Sequence, residues 1–324
     1  QVGYLAIQAE AARALVPPPP LDVLVAETQG EIGYLLVQAL DAELSQRGID
    51  RPVVAVMTQT VVDPDDAAFD APSKPIGPMY DEPTARSLAA SNGWTVAPDG
   101  DGWRRVVASP RPRSIVEAPV IRAIADSGAV VVASGGGGIP VTRAADRRPG
   151  EARSAAGCGR VLREDFAAPS ELVGVEAVVD KDLEAVVLAQ AVDADALLLL
   201  TDVRAVHLGW GGANPIPIRQ LLASAARAGV ANGTFPRGSM GPKVEAAAQF
   251  ASSTGRLAAI GALDEAADVL AGRSGTLVVA DPRPIVSAPV SPGARPASRV
   301  GSPRRAARRR SAAAPCTSRT RPGA

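Results

Sequence analysis

The stretch "VEAVVDKDLEAVVLAQAVDADALLLLTDV" (residues 175–203) reads as strand, helix, strand. Its two apolar runs, rich in Val and Leu, are short enough for buried strands, and the segment between them is long enough for a helix. Strands separated by a helix pair in parallel, so this unit predicts an α/β fold with a mostly parallel sheet and helices on both faces. The flanking chain repeats the pattern. "VVAVMTQTVV" (53–62) predicts a buried strand, "SIVEAPVIRAIADSG" (114–128) a helix ending at glycine, and "AVVVASGGGGIPV" (129–141) a strand running into a glycine loop. "PIPIRQLLASAARAG" holds a further helix, "GPKVEAAAQFASSTG" (241–255) another that begins with Pro and ends with Gly, and "RLAAIGAL" and "GTLVVA" close the sheet. At the front, residues 1–15 and 21–47 predict helices separated by four prolines.

Two regions break the alternation. Residues 63–113 are rich in Pro, Gly and Asp and hold two of the three tryptophans, which predicts a small excursion of short strands with a helix at 83–91. Residues 142–173 show no period and read as a loop.

With 324 residues and 46% hydrophobic content the chain can bury a large core, although aromatics are only 3%. No apolar run reaches the ~20 residues that span a bilayer, and no secretory leader is evident, so a cytoplasmic protein without membrane contact is expected. Cys158 and Cys316 match neither a disulfide framework nor a metal spacing. The formal net charge of zero conceals an asymmetry, since residues 281–324 carry ten of the 34 basic residues and one acid. That Arg/Pro-rich tail is expected to be disordered. It lacks aromatic interleaving and an attached module, so nucleic-acid binding is not expected; a shifted reading frame is the simpler account of its composition.

The candidate chemistry lies at the ends of predicted strands, where ligands bind in open α/β sheets. Gly135, Gly136, Gly137 and Gly138 follow one strand and leave backbone N–H groups open to an anion or nucleotide. The loop matches neither the phosphate-binding nor the dinucleotide-binding glycine motif. Asp180 is placed to cap a helix whose first turn contains Lys181, a cation that the helix dipole disfavours unless an anion offsets it. Asp202, past the next strand, is placed to orient a magnesium ion, to orient a lysine, or to cap a turn. Lys74 lies in the stiff "SKPIGP" loop. Lys243 enters a helix start opened by Gly238, Gly241 and Pro242. Three lysines, a glycine loop and two carboxylates suit phosphoryl transfer, which is mostly positioning and charge stabilisation. His207, the single histidine, belongs to no recognisable catalytic group.

Taken in order, "PLDVLVAETQGEIGYLLVQAL", "KPIGPMYDE", "GWTVAPDGDGWRRVVASPRP", "ASGGGGIPV", "GVEAVVDKDLEAVVLA", "LLLLTDV" and "GSMGPKVEAA" closely resemble carbamate kinases of the amino acid kinase superfamily, from residue 1 to about 280. The resemblance implies an open three-layer αβα sandwich over residues 1–280, a protruding lid subdomain at 70–112, and a homodimer. It implies reversible phosphoryl transfer between ATP and carbamate, giving ADP and carbamoyl phosphate, with Mg²⁺, in carbamoyl-phosphate and arginine catabolism. It assigns Lys181 and Lys243 to the transferred phosphate from the nucleotide side and Lys74 from the lid, with Asp180 organising the lysines. The glycine loop, Asp202 with Val203, and Met240 with Gly241 are implied on the nucleotide side, and no protein metal ligand is implied.

The family begins with a strand and a glycine loop that cradles the transferred group, followed later by a second glycine loop; only "QVG" (1–3) of the second has a counterpart here, so an N-terminally incomplete chain is expected. Residues 142–173 are longer and less regular than the family's connection, and His207 stands where an aromatic, commonly Tyr, is usual. Another acyl-phosphate-forming kinase of the superfamily is the alternative chemistry, against which the "KPIGP" loop argues. A remnant that binds nucleotide without turnover is the alternative of a different class.

Overall fold

A computed structural model describes residues 2–143, 146, 172–236 and 240–282. The chain divides into Gln1–Pro282 and Arg283–Ala324; the second unit, and most of the 142–173 loop, lie outside the described residues.

The first helix, α1 (Val2–Ala11), stops before Pro17–Pro20, whose missing N–H groups cannot continue it. The chain resumes as α2 (Leu21–Gln46), which buries Leu21, Leu24, Val25, Thr28 and Gln29 along its first half. The run 53–62, read as one strand, is two: β1 (Val53–Val56) and β2 (Gln59–Val62). The break has a cause. Gln29 of α2 accepts the Thr58 N–H at 2.8 Å and donates to the Thr58 carbonyl at 2.9 Å, so a side chain takes that N–H out of any ladder and shares the carbonyl with the Ile139 N–H. The neighbouring chain breaks at the same level: β1 pairs in parallel with β7 (Val130–Ala133), β2 in parallel with β8 (Ile139–Arg143), and the glycine loop spans the gap between β7 and β8.

The excursion is a three-stranded antiparallel sheet of β3 (Lys74–Tyr80), β5 (Gly102–Val107) and β4 (Thr95–Asp99), in that order, with α3 (Glu82–Asn92) against it. Asp81 caps α3 by accepting the Thr84 N–H at 2.8 Å, and Gly93 ends it at φ 67°. The two tryptophans here are stacking surfaces for arginine, Arg86 over Trp103 and Arg105 over Trp94, each 4.9 Å from the ring centre.

The predicted helix 114–128 begins later than expected. Residues Pro112–Ile115 form β6, antiparallel to β2, and α4 (Ala118–Asp126) starts only at Pro119's first turn. β-Branched Ile115 and Val116 and the restriction that Pro119 places on Ala118 both disfavour an earlier helix. A second difference concerns 175–179, which was expected to be a strand. After β9 (Leu172–Gly174), Val175 donates to Pro140 and Val178 to Ala108, so the chain changes partner before a ladder can build.

The rest follows the pattern. α5 (Lys181–Ala191) leads into β10 (Ala196–Thr201), then the short strands β11 (His207–Leu208), β12 (Ile216–Pro217) and β13 (Gln220–Leu222). The chain continues through α6 (Ala223–Ala231), α7 (Met240–Thr254), β14 (Leu257–Ala262), α8 (Ala266–Leu270) and β15 (Thr276–Val279). In the sheet β10–β14–β15–β13 the β10–β14 and β13–β15 pairs are parallel and β14–β15 is antiparallel. The fold is α/β with parallel sheet cores, as the 175–203 unit predicted. Its main core surrounds α7, where Ala246, Ala247, Ala248 and Ala251 are fully buried with Phe250. Small side chains let this helix approach the sheet closely, which is how a chain poor in aromatics fills its centre.

Two side chains tie distant elements together. Asp281, placed in the tail by composition, accepts the Ser224 N–H at 3.0 Å as well as the Ser224 hydroxyl, and so caps α6, whose own N-cap residue Leu222 has no side-chain acceptor. Glu184 of α5 is buried and accepts the Ser134 hydroxyl at 2.5 Å. Burial, opposed only by that hydrogen bond, pushes its carboxyl up to about 7.

Truncation after Pro282 is expected to leave the melting temperature unchanged, because it removes few large apolar side chains. Truncation before Asp281 removes the cap and is expected to cost about 1 kcal/mol; thermal melts of the two truncations separate the outcomes. Glu184 binds its proton more tightly folded than unfolded. Its contribution is therefore present below the unfolded value of 4.5 and lost as pH rises to about 7. Urea titrations at pH 5 and pH 8 are expected to show a loss on the order of 3 kcal/mol in the wild type that Glu184→Gln abolishes.

Candidate active site

Four chain segments converge on one cleft of about 410 Å³: the start of β3 through Lys74, the start of α5, the loop after β10, and the start of α7. Each begins or ends an element, which sets side chains from four segments around one space.

The charges are arranged as compensated pairs. Lys74 Nζ lies 2.7 Å from Asp180 Oδ2. The same aspartate caps α5 by accepting the Asp182 N–H at 3.0 Å. Burial pushes the Asp180 carboxyl up, but the hydrogen bond and charge of Lys74, the Asp182 N–H and Lys181 together hold it below the usual carboxylate range. Lys243 Nζ sits 3.1 and 3.0 Å from the two oxygens of Asp182, and both side chains are nearly buried, at 9% and 8% exposure. Lys181 is 62% exposed and lies 3.6 Å from Asp182, so Asp182 faces two lysines. A buried ammonium without such a partner would be very costly.

Three lysines and Asp180, read from the sequence as one group, are thus brought together. The resemblance, however, gave the organising role to Asp180 alone. The structure divides the contacts: Asp180 takes Lys74 of β3, and Asp182 takes the two others. Asp182 was missed because it looked like an ordinary acid in a helix first turn; its signal was its position two residues after a cap, which turns it toward α7.

The glycine loop is not among the residues lining this cleft. Its glycines answer to packing. A Cβ on Gly137 would lie 2.0 Å from the Val179 carbonyl, one on Gly138 (φ 74°) would lie 2.1 Å from Thr60 Oγ1, and one on Gly135 would lie 2.8 Å from Gln29 Cγ. Gly136 alone of the four faces open space. Asp202 and Val203 do line the cleft, with Asp202 held by the Thr201 hydroxyl at 3.0 Å. Met240 also lines it, whereas Gly241 lies beneath, its N–H donating to Pro236 O at 2.7 Å. Gly238 falls outside the described residues.

Sequence reading also missed the aromatic wall. His207 packs against Trp210 with ring centres 5.4 Å apart, and both line the cleft beside Phe235. A flat apolar surface next to a lysine cluster suits a planar base attached to phosphates. Among the described residues no group of three His, Cys, Asp or Glu is placed to hold a metal, and no helix is long and apolar enough to cross a membrane.

Comparison with known proteins agrees with this geometry. The amino acid kinase family model matches residues 84–261. The carbamate kinase of Thermococcus kodakarensis is 44% identical over 282 residues, covering 86% of this chain and 82% of that protein. The carbamate kinase of Escherichia coli K12 is 41% identical over 278 residues, with coverage of 86% and 82%. Among solved structures, carbamate kinase from Giardia lamblia bound to AMP-PNP superposes with a TM-score of 0.72 at 37% identity, covering 87% of this chain and 82% of that one. The chain belongs to the carbamate kinases of the amino acid kinase family, a family of phosphotransferases.

Proposed function

We propose that the chain transfers a phosphoryl group reversibly between ATP and carbamate, giving ADP and carbamoyl phosphate. The observation that carries the reading is the convergence of Lys74, Lys181 and Lys243 on one cleft whose acids, Asp180 and Asp182, hold each ammonium in a defined place. In the forward direction a carbamate oxygen forms the new P–O bond as the bond to the β-phosphate oxygen breaks. Charge spreads over the three equatorial oxygens of the migrating group. Lys243 brings its charge to the start of α7, where the helix dipole also favours an anion. Lys181 reaches the same group from α5, and Lys74 approaches from the lid. The base lies against His207 and Trp210, with Asp202, Val203 and Met240 along the nucleotide. Gly135–Gly138 contribute as support behind the site.

Mg²⁺ fits this cleft as an ion carried on nucleotide phosphates, since Asp180 and Asp182 are engaged by lysines and Asp202 is the cleft acid without a cation partner among the described residues. Bound there, it would neutralise phosphate charge. A homodimer is supported by the exposed Tyr34, Leu35 and Leu36 of α2, and nucleotide and carbamoyl phosphate as substrates favour the cytoplasm.

The test is ATP formation from ADP and carbamoyl phosphate in a coupled assay. Lys243→Ala and Lys181→Ala are each expected to lower kcat by about 10²–10³ with a much smaller change in ADP binding, because the migrating group carries most charge in the transition state. Wild-type kcat in either variant would remove that lysine from the mechanism, and a change confined to KM would make it a ground-state contact.

A further inference from the structure

Glu184 and Ser134 form a contact that the proposed chemistry does not use. Ser134 opens the glycine loop in a left-handed conformation, φ 66°, which costs a non-glycine residue strain unless its surroundings hold it. Its surroundings do so twice. Its N–H donates to Thr58 Oγ1 at 3.0 Å, and its hydroxyl donates to Glu184 Oε1 at 2.5 Å. Three residues on, Gly137 rests against the Val179 carbonyl so closely that no side chain would fit. The loop therefore touches the chain just before Asp180 and just after Asp182, and brackets the residues that position all three lysines.

We infer that Glu184 is a positioning residue: by holding Ser134 it latches the loop Gly135–Gly138 onto the start of α5 and so fixes the alignment of Asp180 and Asp182. The latch itself rests on geometry; its consequence for turnover rests on the function proposed above.

The latch depends on protonation, because Glu184 is only 2% exposed and no cation pairs with it among the described residues. The charged groups of the elements packed on α5 are engaged elsewhere. On α7, Lys243 faces Asp182 and Glu245 faces Arg111; on β6, Arg113 faces Asp63; on α4, Arg122 faces Asp126 and Asp193. Strand β10 carries no charge. As a neutral acid the carboxyl suits this setting. Ionised, it is an uncompensated buried charge whose simplest relief is water entering as the loop lifts. Rising pH therefore opens the latch, and Glu184→Gln, neutral and similar in shape, keeps it closed.

Hydrogen exchange on the full chain, corrected for intrinsic pH dependence, reads the latch at Gly135–Ile139 and Lys181–Glu184. Wild-type protection there is expected to fall between pH 6 and pH 8 by at least about fivefold relative to Glu184→Gln, the low end of ordinary coupling between sites, while β10 and β14 stay protected in both. Ser134→Gly is expected to be weakly protected at both pH values. Parallel profiles in wild type and Glu184→Gln, or a loss shared with β10 and β14, would overturn the latch. In the ATP-forming assay kcat, not KM for ADP, is expected to decline with the latch in the wild type and to be retained at pH 8 in Glu184→Gln. Superimposed kcat profiles would overturn the positioning role. Absence of turnover at every pH together with the expected exchange pattern would count against the proposed function and leave the latch standing.

Discussion

A lysine ammonium that is 9% exposed exists here because Asp182 lies 3.0 Å from it, and the site is built around that pair. Asp182 stands in the first turn of α5 and Lys243 in the first turns of α7, so the pair clasps two helices at their N-termini. Desolvating two charges is expensive, and apolar residues of similar size often hold a fold equally well. The clasp is therefore a poor device for stability and a good one for fixing a cation. Its location also accounts for a placement that the helix dipole alone disfavours, because the carboxylate neutralises a charge that two N-termini would otherwise repel.

Much of the fold was legible because the local signals agreed with the final environment. The 175–203 unit kept its helix and its second strand, α5 and β10, and Ala/Val/Leu segments became core elements. Where the reading failed, a side chain from elsewhere decided the backbone. Residues 53–62 are rich in β-branched residues with no glycine or proline, yet Gln29, almost thirty residues away, bonds both backbone groups of Thr58. Ser114–Ile115 read as helix because Ala and Ile follow at helical spacing, but β2 recruits them as an edge. Such captures leave no periodic trace.

The site shows the same division. Lys74, Lys181 and Lys243 were legible because glycine, proline or a cap flanked each one. Asp182 and Trp210 had no such flag: an acid in a first turn and an aromatic in a Gly-rich loop have ordinary explanations. The glycine loop was legible as special, but the reason differed. Read as a cradle open to an anion, it is instead a tightly packed strap in which Gly135, Gly137 and Gly138 each exclude a side chain. The sequence signature of close approach is the same whether the approaching group is a phosphate or the protein's own carbonyl.

The paired charges raise a question about binding, since each lysine meets an acid before any phosphate arrives. The chemistry of the ammonium resolves it. Lysine has three N–H donors and no acceptor, so Lys243 can keep Asp182 on one side while another donor meets a phosphate oxygen. The acid then need not leave; it holds the direction in which the remaining donors point. Lys74 differs, being 32% exposed and carried by β3. Its bond to Asp180 ties the three-stranded sheet β3–β5–β4 to the capped start of α5. The deep pair thus supplies a charge held between two helix starts, and the shallow pair a charge nearer solvent on a separate sheet, so one cation is preorganised by burial and the other is open to whatever enters the cleft.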